Sequence, residues 1–315
     1  MDVSILFATR NRAAQLERTL DCYRALDTHG LDWELLIVDN GSTDATAEVI
    51  ERARRDLPIT YLHADGVGQN RARNVAMDRL SGELVIFTDD DVLPEPDCAR
   101  AYIDAAQRWP DDVIFGARIE PSFPADTPDW MTSPDFEFAT TAFARYQPAD
   151  QEGPVGRHPY GPSFAVRRAA FQGMRFNEQL GPQTGSYAMG GEGDFLRRLA
   201  ARGHRYIYVP QARVAHVVRT DQTNADWLLS RAYKKGRGQV YLPSSKKTPK
   251  LYWRGAPLKL WLATLRSGLR YQLCRRLQSV QERACIERGI TYQFRLGQID
   301  ELRARQAGLT HNDHD

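Results

Sequence analysis

The chain has 315 residues, 42% of them hydrophobic and 26% charged, which suffices for a sizeable core and excludes wholesale disorder. No apolar run approaches the ~18 residues that span a bilayer, and the opening MDVSILFATRNR lacks the basic region and cleavage site of a secretory leader. The net charge of +2 hides an asymmetry: Asp226 to Arg295 holds 16 Lys+Arg against 3 acids, a local +13, and the rest of the chain is −11.

Strand and helix signals alternate from the start. Val3–Ala8 is a short apolar run, followed by a helical pattern over Ala13–Leu26 with Leu16, Leu20 and Tyr23 on one face. Trp33–Val38 is a second strand ending in the turn signal Asp39-Asn40-Gly41-Ser42, after which Thr43 or Asp44 can cap a helix. Ile59–Leu62, a Gly66-Val67-Gly68 turn and a helix to Leu80 follow, then the strand Leu84–Thr88 running into three aspartates. A helix over Pro96–Trp109 and a strand near Val113–Ala117 complete the first third. This order predicts an open α/β sheet of parallel strands with crossover helices, whose ligands bind beyond the carboxyl ends of the strands. Thr9–Arg12, Asp39–Ser42 and Asp89–Asp91 all fall there.

Between Pro121 and Pro162 lie 8 of the 17 prolines, which predicts no long regular element and reads either as a loop layer over the site or as a surface excursion. Pattern returns with a strand over Ser163–Val166, a helix over Gly190–Ala201, a strand over Tyr206–Val209 and a helix over Asp226–Lys235. Cys22, Cys98, Cys274 and Cys285 form no CxxC pair, so neither a disulfide framework nor a cysteine zinc site is expected, and a reducing cytoplasm fits.

Three adjacent carboxylates after a buried strand repel one another unless a cation neutralises them, and Mg²⁺ and Mn²⁺ take carboxylate oxygens and bridge to diphosphates. The bland reading of Asp89-Asp90-Asp91 is a solvated acidic loop. Asp39 either accepts from a ligand or caps the following helix, and His216 reads locally as a packed strand-end histidine. Gly66-Val67-Gly68 is no dinucleotide fingerprint, because it follows the third strand and Arg71 stands at the final glycine position.

Together these blocks resemble the family 2 glycosyltransferases. Ala8-Thr9-Arg10-Asn11-Arg12 is similar to the family's Pro-Thr-Tyr-Asn-Arg turn, Val38–Asp44 to its Val-Asp-Asn-Gly-Ser-Thr-Asp, Gly68 through Ala72-Arg73-Asn74 to its Gly-x-x-x-Ala-Arg-Asn, and Asp89-Asp90-Asp91 to its Asp-x-Asp. Gly190–Phe195 resembles the family's Gly-Glu-Asp-x-Asp block, with Gly191 in place of the usual Glu. His216–Arg219 resembles its late His motif, and Trp227, Arg231, Tyr233 and Gly236 resemble a stretch of its bacterial members.

The resemblance implies a GT-A (Rossmann-like) nucleotide-sugar-binding sheet over 1–240, with 241–315 a basic helical C-terminal region. It implies an inverting, metal-dependent transfer of a sugar from a nucleotide-sugar donor, most often a UDP-sugar, to a hydroxyl of a glycan or lipid-linked acceptor, with Mn²⁺ or Mg²⁺ as cofactor. Carried over residue by residue, Thr9, Arg12, Asp39, Arg73 and Asp89 bind the donor, and Arg219 assists the leaving group. Asp91 and His216 serve the metal, and Glu192 or, failing it, Asp194 is the general base. Displacing a nucleoside diphosphate builds negative charge that cations stabilise, and the attacking hydroxyl needs a carboxylate to take its proton. The acceptor pocket is expected from the Pro-rich middle and Gly161–Ser163.

Leu258, Trp261, Leu262, Leu265, Leu269, Leu273 and Leu277 recur at helical spacing with Arg266 and Arg270 flanking, after a connector bearing Lys246, Lys247 and Lys250. Arg276 and Arg283 intrude on the stripe, so a break is expected. This part either meets an anionic membrane through about 250–290, placing the protein at the inner face of the cell membrane, or packs on the catalytic domain. No nucleic-acid module accompanies the charges. Two other readings compete. A nucleotidyltransferase needs a Gly-rich phosphate loop after the first strand, which Thr9–Arg12 lacks; a non-catalytic glycan- or partner-binding member is compatible with the altered acidic block.

Overall fold

The computed structural model describes residues 1–183, 186–242, 251–276 and 282–308. In chain order the elements are β1 (Val3–Thr9), α1 (Ala13–Arg24), β2 (Trp33–Asp39), α2 (Thr46–Ala53), β3 (Ile59–His63), α3 (Gln69–Ala76), β4 (Leu84–Thr88), β5 (Val92–Pro94), α4 (Cys98–Arg108), β6 (Ile114–Ser122), α5 (Asp129–Thr132), α6 (Glu137–Ala142), β7 (Gly153–Val155) and β8 (Ser163–Arg167). These are followed by β9 (Gly181–Gln183), β10 (Ser186–Ala188), α7 (Gly191–Ala200), β11 (Tyr206–Val217), α8 (Ala225–Gln239), β12 (Tyr252–Trp253), β13 (Ala256–Pro257), α9 (Leu258–Arg276) and α10 (Glu282–Gln306).

Two compact units result. The first comprises 1–125, 134–178 and 191–218, and the second 126–133, 179–190 and 219–315. The boundary expected at 240 coincides with the end of α8, whereas the units divide after Val218.

The first unit is built on one sheet of order β3-β2-β1-β4-β8-β6-β11-β5, with β7 against β11. The expected parallel pairing holds for β3-β2-β1-β4. The sheet is nevertheless mixed, because β8 runs antiparallel between β4 and β6. The Pro-rich stretch returns the chain to the sheet from the opposite end, so β8 cannot run with its neighbours.

β1 is buried at every residue, as a strand covered on both faces must be. Val3, Ile5 and Phe7 face a core shared with α1, α2 and α4, while Leu6 and Ala8 face one shared with α3 and α7. Under the second face Phe87, Phe164, Phe171, Phe176 and Phe195 pack ring on ring, Phe176 stacking on Phe195 at 4.3 Å, and so anchor α7 to β4 and β8.

In the second unit α8 and α10 approach through glycines. A Cβ on Gly236 would lie 1.9 Å from the Phe294 carbonyl oxygen, and one on Gly297 2.0 Å from the Tyr233 carbonyl oxygen, both far inside van der Waals contact with backbone. Tyr233 donates to Asp300, and the buried Glu301 takes Arg237 at 2.7 Å and the Tyr241 hydroxyl at 2.7 Å. Of the bacterial-type stretch, Arg231 lies over the Trp227 ring at 5.2 Å. α9 is described to Arg276 and α10 from Glu282, and the residues between them, where a break is expected, lie outside the described residues. Lys246, Lys247, Lys250 and Leu277 lie outside the described residues. Among the described residues no helix is long and apolar enough to cross a membrane.

Candidate active site

The site assembles where β1, β2 and β4 end. The register puts Thr9 beside Asp39, so the turns after β1 and β2 lie side by side. Asn11, at φ 52°, accepts the Thr43 N–H at 2.7 Å and donates its own N–H to the Ser42 hydroxyl at 2.9 Å. Gly41 supplies the left-handed conformation (φ 74°) that lets Asp39 Oδ1 take the Ser42 N–H at 2.8 Å. Oδ2 accepts the Tyr61 hydroxyl at 3.0 Å. Asp39 is buried with both oxygens engaged, and each keeps a second lone pair. Burial, reinforced by the Asp39 hydrogen bond, pushes the Tyr61 phenol up to about 12.

The aspartate triplet is split by the sheet. β4 ends at Thr88 in the middle, and the chain then crosses to pair β5 with the far end of β11. Asp89, Asp90 and Asp91 form that crossing. Asp90 faces inward, where Oδ2 accepts the Thr9 hydroxyl at 2.7 Å and the backbone carbonyl accepts Thr19 at 2.8 Å. Burial pushes its carboxyl up to about 7, with the Asp91 charge adding to the rise. Thr9 thus serves Asp90 directly, and sequence reasoning missed Asp90 as the inward member. Asp89 is raised to about 6 by burial, against the pull of Arg73.

Asp91 lies at the other end. The antiparallel pairing sets His216 opposite Val92, and His216 Nε2 stands 3.7 Å from Asp91 Oδ1. The Nδ1 of His216 donates to the Phe143 carbonyl at 3.0 Å, which orients the ring with Nε2 facing the carboxylate. Asp91 and the His216 ring nitrogen are the residues that would hold a divalent cation here, and such a cation would supply positive charge against a diphosphate. Among the described residues no cluster of three or more His, Cys, Asp or Glu could hold a metal alone. Arg12, the residue just before α1, reaches the same carboxylate, 3.9 Å from Asp91 Oδ2.

Arg73, wholly buried on α3, joins the two halves of the site. One terminal nitrogen donates to Asp89 Oδ1 at 2.7 Å and the other to Glu192 Oε1 at 2.5 Å. Its Cζ lies 5.5 Å from the Phe176 ring centroid. Gln69, one turn earlier and not singled out from sequence, donates to the same Asp89 oxygen at 2.9 Å.

Glu192 opens α7 with its carboxylate against the Gly161 backbone, where a Cβ would come within 3.0 Å of its Cδ. The loop before β8 therefore borders Glu192. Asp194 turns along its own helix and accepts Arg198 Nε at 2.9 Å. Gly191 has no room for a side chain: a Cβ would lie 2.2 Å from the Asn70 amide, which donates instead to the Asn177 carbonyl at 2.9 Å. His158 packs beside this helix start, its Nδ1 on the Pro159 carbonyl at 2.8 Å and Arg197 3.5 Å from its Nε2. Asn70 and His158 carried no signal in the sequence beyond their neighbourhood. Arg219 begins the second unit, with its guanidinium on the Asp221 carboxylate at 3.0 Å.

Among the described residues the first unit therefore gathers Thr9, Arg12, Asp39, Arg73, Asp89, Asp91, Glu192 and His216 along one edge of the sheet. Carboxylates with a buried cation between them, at the strand ends of an α/β sheet, suit a phosphate-bearing ligand held through a metal.

The succinoglycan biosynthesis protein ExoM of Rhizobium meliloti (strain 1021) is 23% identical over 250 residues, 78% of this chain and 76% of that protein. The glucosyl-dolichyl phosphate glucuronosyltransferase of Haloferax volcanii is 26% identical over 215 residues, 64% of this chain and 65% of that protein. The structure of S. aureus TarS 1–349 in complex with UDP-GlcNAc superposes with a TM-score of 0.56 at 16% identity, covering 98% of this chain and 92% of that one. The Pyrobaculum calidifontis mannosyltransferase PcManGT, in complex with GDP-Man and Mn²⁺, superposes with a TM-score of 0.53 at 16% identity, covering 99% of this chain and 76% of that one. At such identities the two structures speak for the fold, which is that of the GT-A glycosyltransferases. Residues 4–174, more than half of the chain, match the family Glycosyl transferase family 2, and the chain belongs to that family as a glycosyltransferase.

Proposed function

We propose that the chain moves a sugar from a nucleotide-sugar donor, a UDP-sugar first among them, to a hydroxyl of a glycan or lipid-linked acceptor, by a single inverting displacement that needs Mn²⁺ or Mg²⁺. The observation that carries this reading is Arg73, buried and shared between Asp89 and Glu192. One cation ties a carboxylate of the donor side to the carboxylate proposed as base. The relatives' names support the substrate classes: one is a succinoglycan biosynthesis protein and another acts on a glucosyl-dolichyl phosphate.

In this scheme Asp39 accepts from the donor base beside Thr9 and Arg12, and Arg73 holds Asp89 toward the ribose. Asp91 and His216 hold the cation, whose charge, when bound, offsets that of the diphosphate leaving group. Glu192 takes the proton from the acceptor hydroxyl. Inversion follows from one base and no enzyme nucleophile, so one displacement on the anomeric carbon reverses its configuration. Asp194, turned along its own helix toward Arg198 and away from Arg73 and Asp89, is the second choice as base. Work at the cytoplasmic side of a membrane, where lipid-linked acceptors are met, completes the reading.

The test is a panel of nucleotide sugars offered to the full chain with Mn²⁺ or Mg²⁺, with release of nucleoside diphosphate as readout. Release from one donor, stopped by a chelator and accompanied by an inverted anomeric linkage, is expected. A retained configuration at the anomeric carbon contradicts the single displacement.

A further inference from the structure

α9 is packed inside out. Thr264, Ser267 and Cys274 are buried, and Gly268 lies against the Tyr292 ring of α10. The fully buried residues of the helix are therefore small or polar, with Tyr271, among the described residues, the one large side chain shown reaching α10, against Gly289 and the Tyr292 ring. Leu262, Leu265, Leu269 and Leu273 point the other way and are 48–63% exposed. At about 100° per residue these four leucines share one stripe, on the side of the helix opposite Ser267 and Cys274. Leu251, Tyr252 and Trp253, which run into and form β12, are also exposed, at 48–67%. The hairpin joins the start of the helix, with Trp253 packed edge-on against Trp261 at 4.8 Å and its carbonyl accepting the Trp261 indole N–H at 2.8 Å.

The charges around the stripe have one sign. No Asp or Glu occurs from Leu251 to Arg276. Arg254, Lys259, Arg266, Arg270, Arg275 and Arg276 are all exposed there. Lys259, Arg266 and Arg270 flank the leucines along one side.

We infer that this face, the exposed leucines of α9 with the β12–β13 hairpin, is a docking surface for an anionic lipid bilayer. The leucines and Trp253 enter the boundary between headgroups and acyl chains, and the flanking cations lie against lipid phosphates. A bilayer satisfies both halves of the surface at once. A second copy of the chain does not, because stripe on stripe sets the same cations against one another with no acid in the segment to receive them. The inference is independent of the proposed donor chemistry and adds to it a site of action: an enzyme held on the bilayer meets a lipid-linked acceptor in two dimensions.

The test is flotation of the full chain with vesicles of phosphatidylcholine alone and with vesicles containing about 30% phosphatidylglycerol. The wild-type protein is expected to float with the anionic vesicles, to stay behind with the neutral ones, and to be released by salt. L265N/L269N and R266E/R270E change exposed side chains only, so their melting temperatures stay near wild type while the bound fraction falls at least about tenfold. Failure of the wild type to float with anionic vesicles overturns the inference, as does flotation of L265N/L269N at the wild-type level. A wild-type dimer that L265N/L269N converts to monomer, with no vesicle binding by either, assigns the stripe to self-association instead. Donor-dependent release of nucleoside diphosphate in solution, measured on the same samples, reports separately on the transfer reading.

Discussion

Arg73 donates to Glu192 at 2.5 Å across 119 residues of chain, while its other terminal nitrogen holds Asp89. The guanidinium is wholly buried and its Nε has no hydrogen-bond partner among the described residues, so the side chain is held by its two carboxylates, the Asn70 side-chain oxygen at 3.4 Å and the Phe176 ring. Removing it leaves two largely buried carboxylates facing each other.

R73M is therefore expected to lose about 3 kcal/mol or more of unfolding free energy, read by chemical denaturation, because breaking a buried pair strands its partners. R73K is expected to fall between, since a single ammonium cannot serve two carboxylates in the guanidinium geometry. Wild-type stability in R73M contradicts the role.

Gly191 stands where the family resemblance leads one to expect a Glu, and Asn70 fills the space a side chain there would take. G191A is expected to destabilise by about 1–3 kcal/mol through overpacking. N70A in the same chain should recover part of that loss, which a double-mutant cycle measures as a favourable coupling. Additive losses show that the two residues do not compete for space.

Glu192 and Asp194 separate by geometry. E192Q is expected to lower kcat by about 10²-fold or more with donor affinity retained, the size of effect general bases supply. D194N breaks only a helical pair with Arg198 on its own helix, so a few tenths of a kcal/mol of stability and little turnover should go. The opposite ranking in steady-state kinetics moves the base to Asp194.

Much of this was legible in the sequence where a pattern is local. β1, β2 and β4 are short, mostly apolar runs, and the polar blocks closing them meet because parallel register sets Thr9 against Asp39. What stayed hidden is carried by short or distant contacts. Val92-Leu93-Pro94 is too brief to announce a strand, yet its pairing at the far end of β11 brings Asp91 to His216. The antiparallel β8 depends on the path of the Pro-rich stretch, which no residue pattern states. Leucine periodicity marked α9 as a helix but not which face packs, because inward contact is made by residues as small as Gly268.

His158 offers a pH test. Burial holds its imidazole below the ordinary histidine value, the Pro159 carbonyl opposing and the Arg197 charge reinforcing. The fold thus favours neutral His158, and the stability this contributes is present above the ordinary histidine pKa and lost as pH falls through the depressed one. H158Q is expected to lose less melting temperature than wild type between pH 7.5 and pH 5. An equal loss in both removes His158 as the source.

The central claim is that Asp91, facing the Nε2 of His216, holds the cation that donor turnover needs. The measurement is nucleoside diphosphate release against Mn²⁺ concentration for wild type and D91A. The account expects saturable, chelator-sensitive release by the wild type and a loss of about 10²-fold or more in D91A at any Mn²⁺ concentration. Release that ignores the chelator and survives in D91A contradicts it.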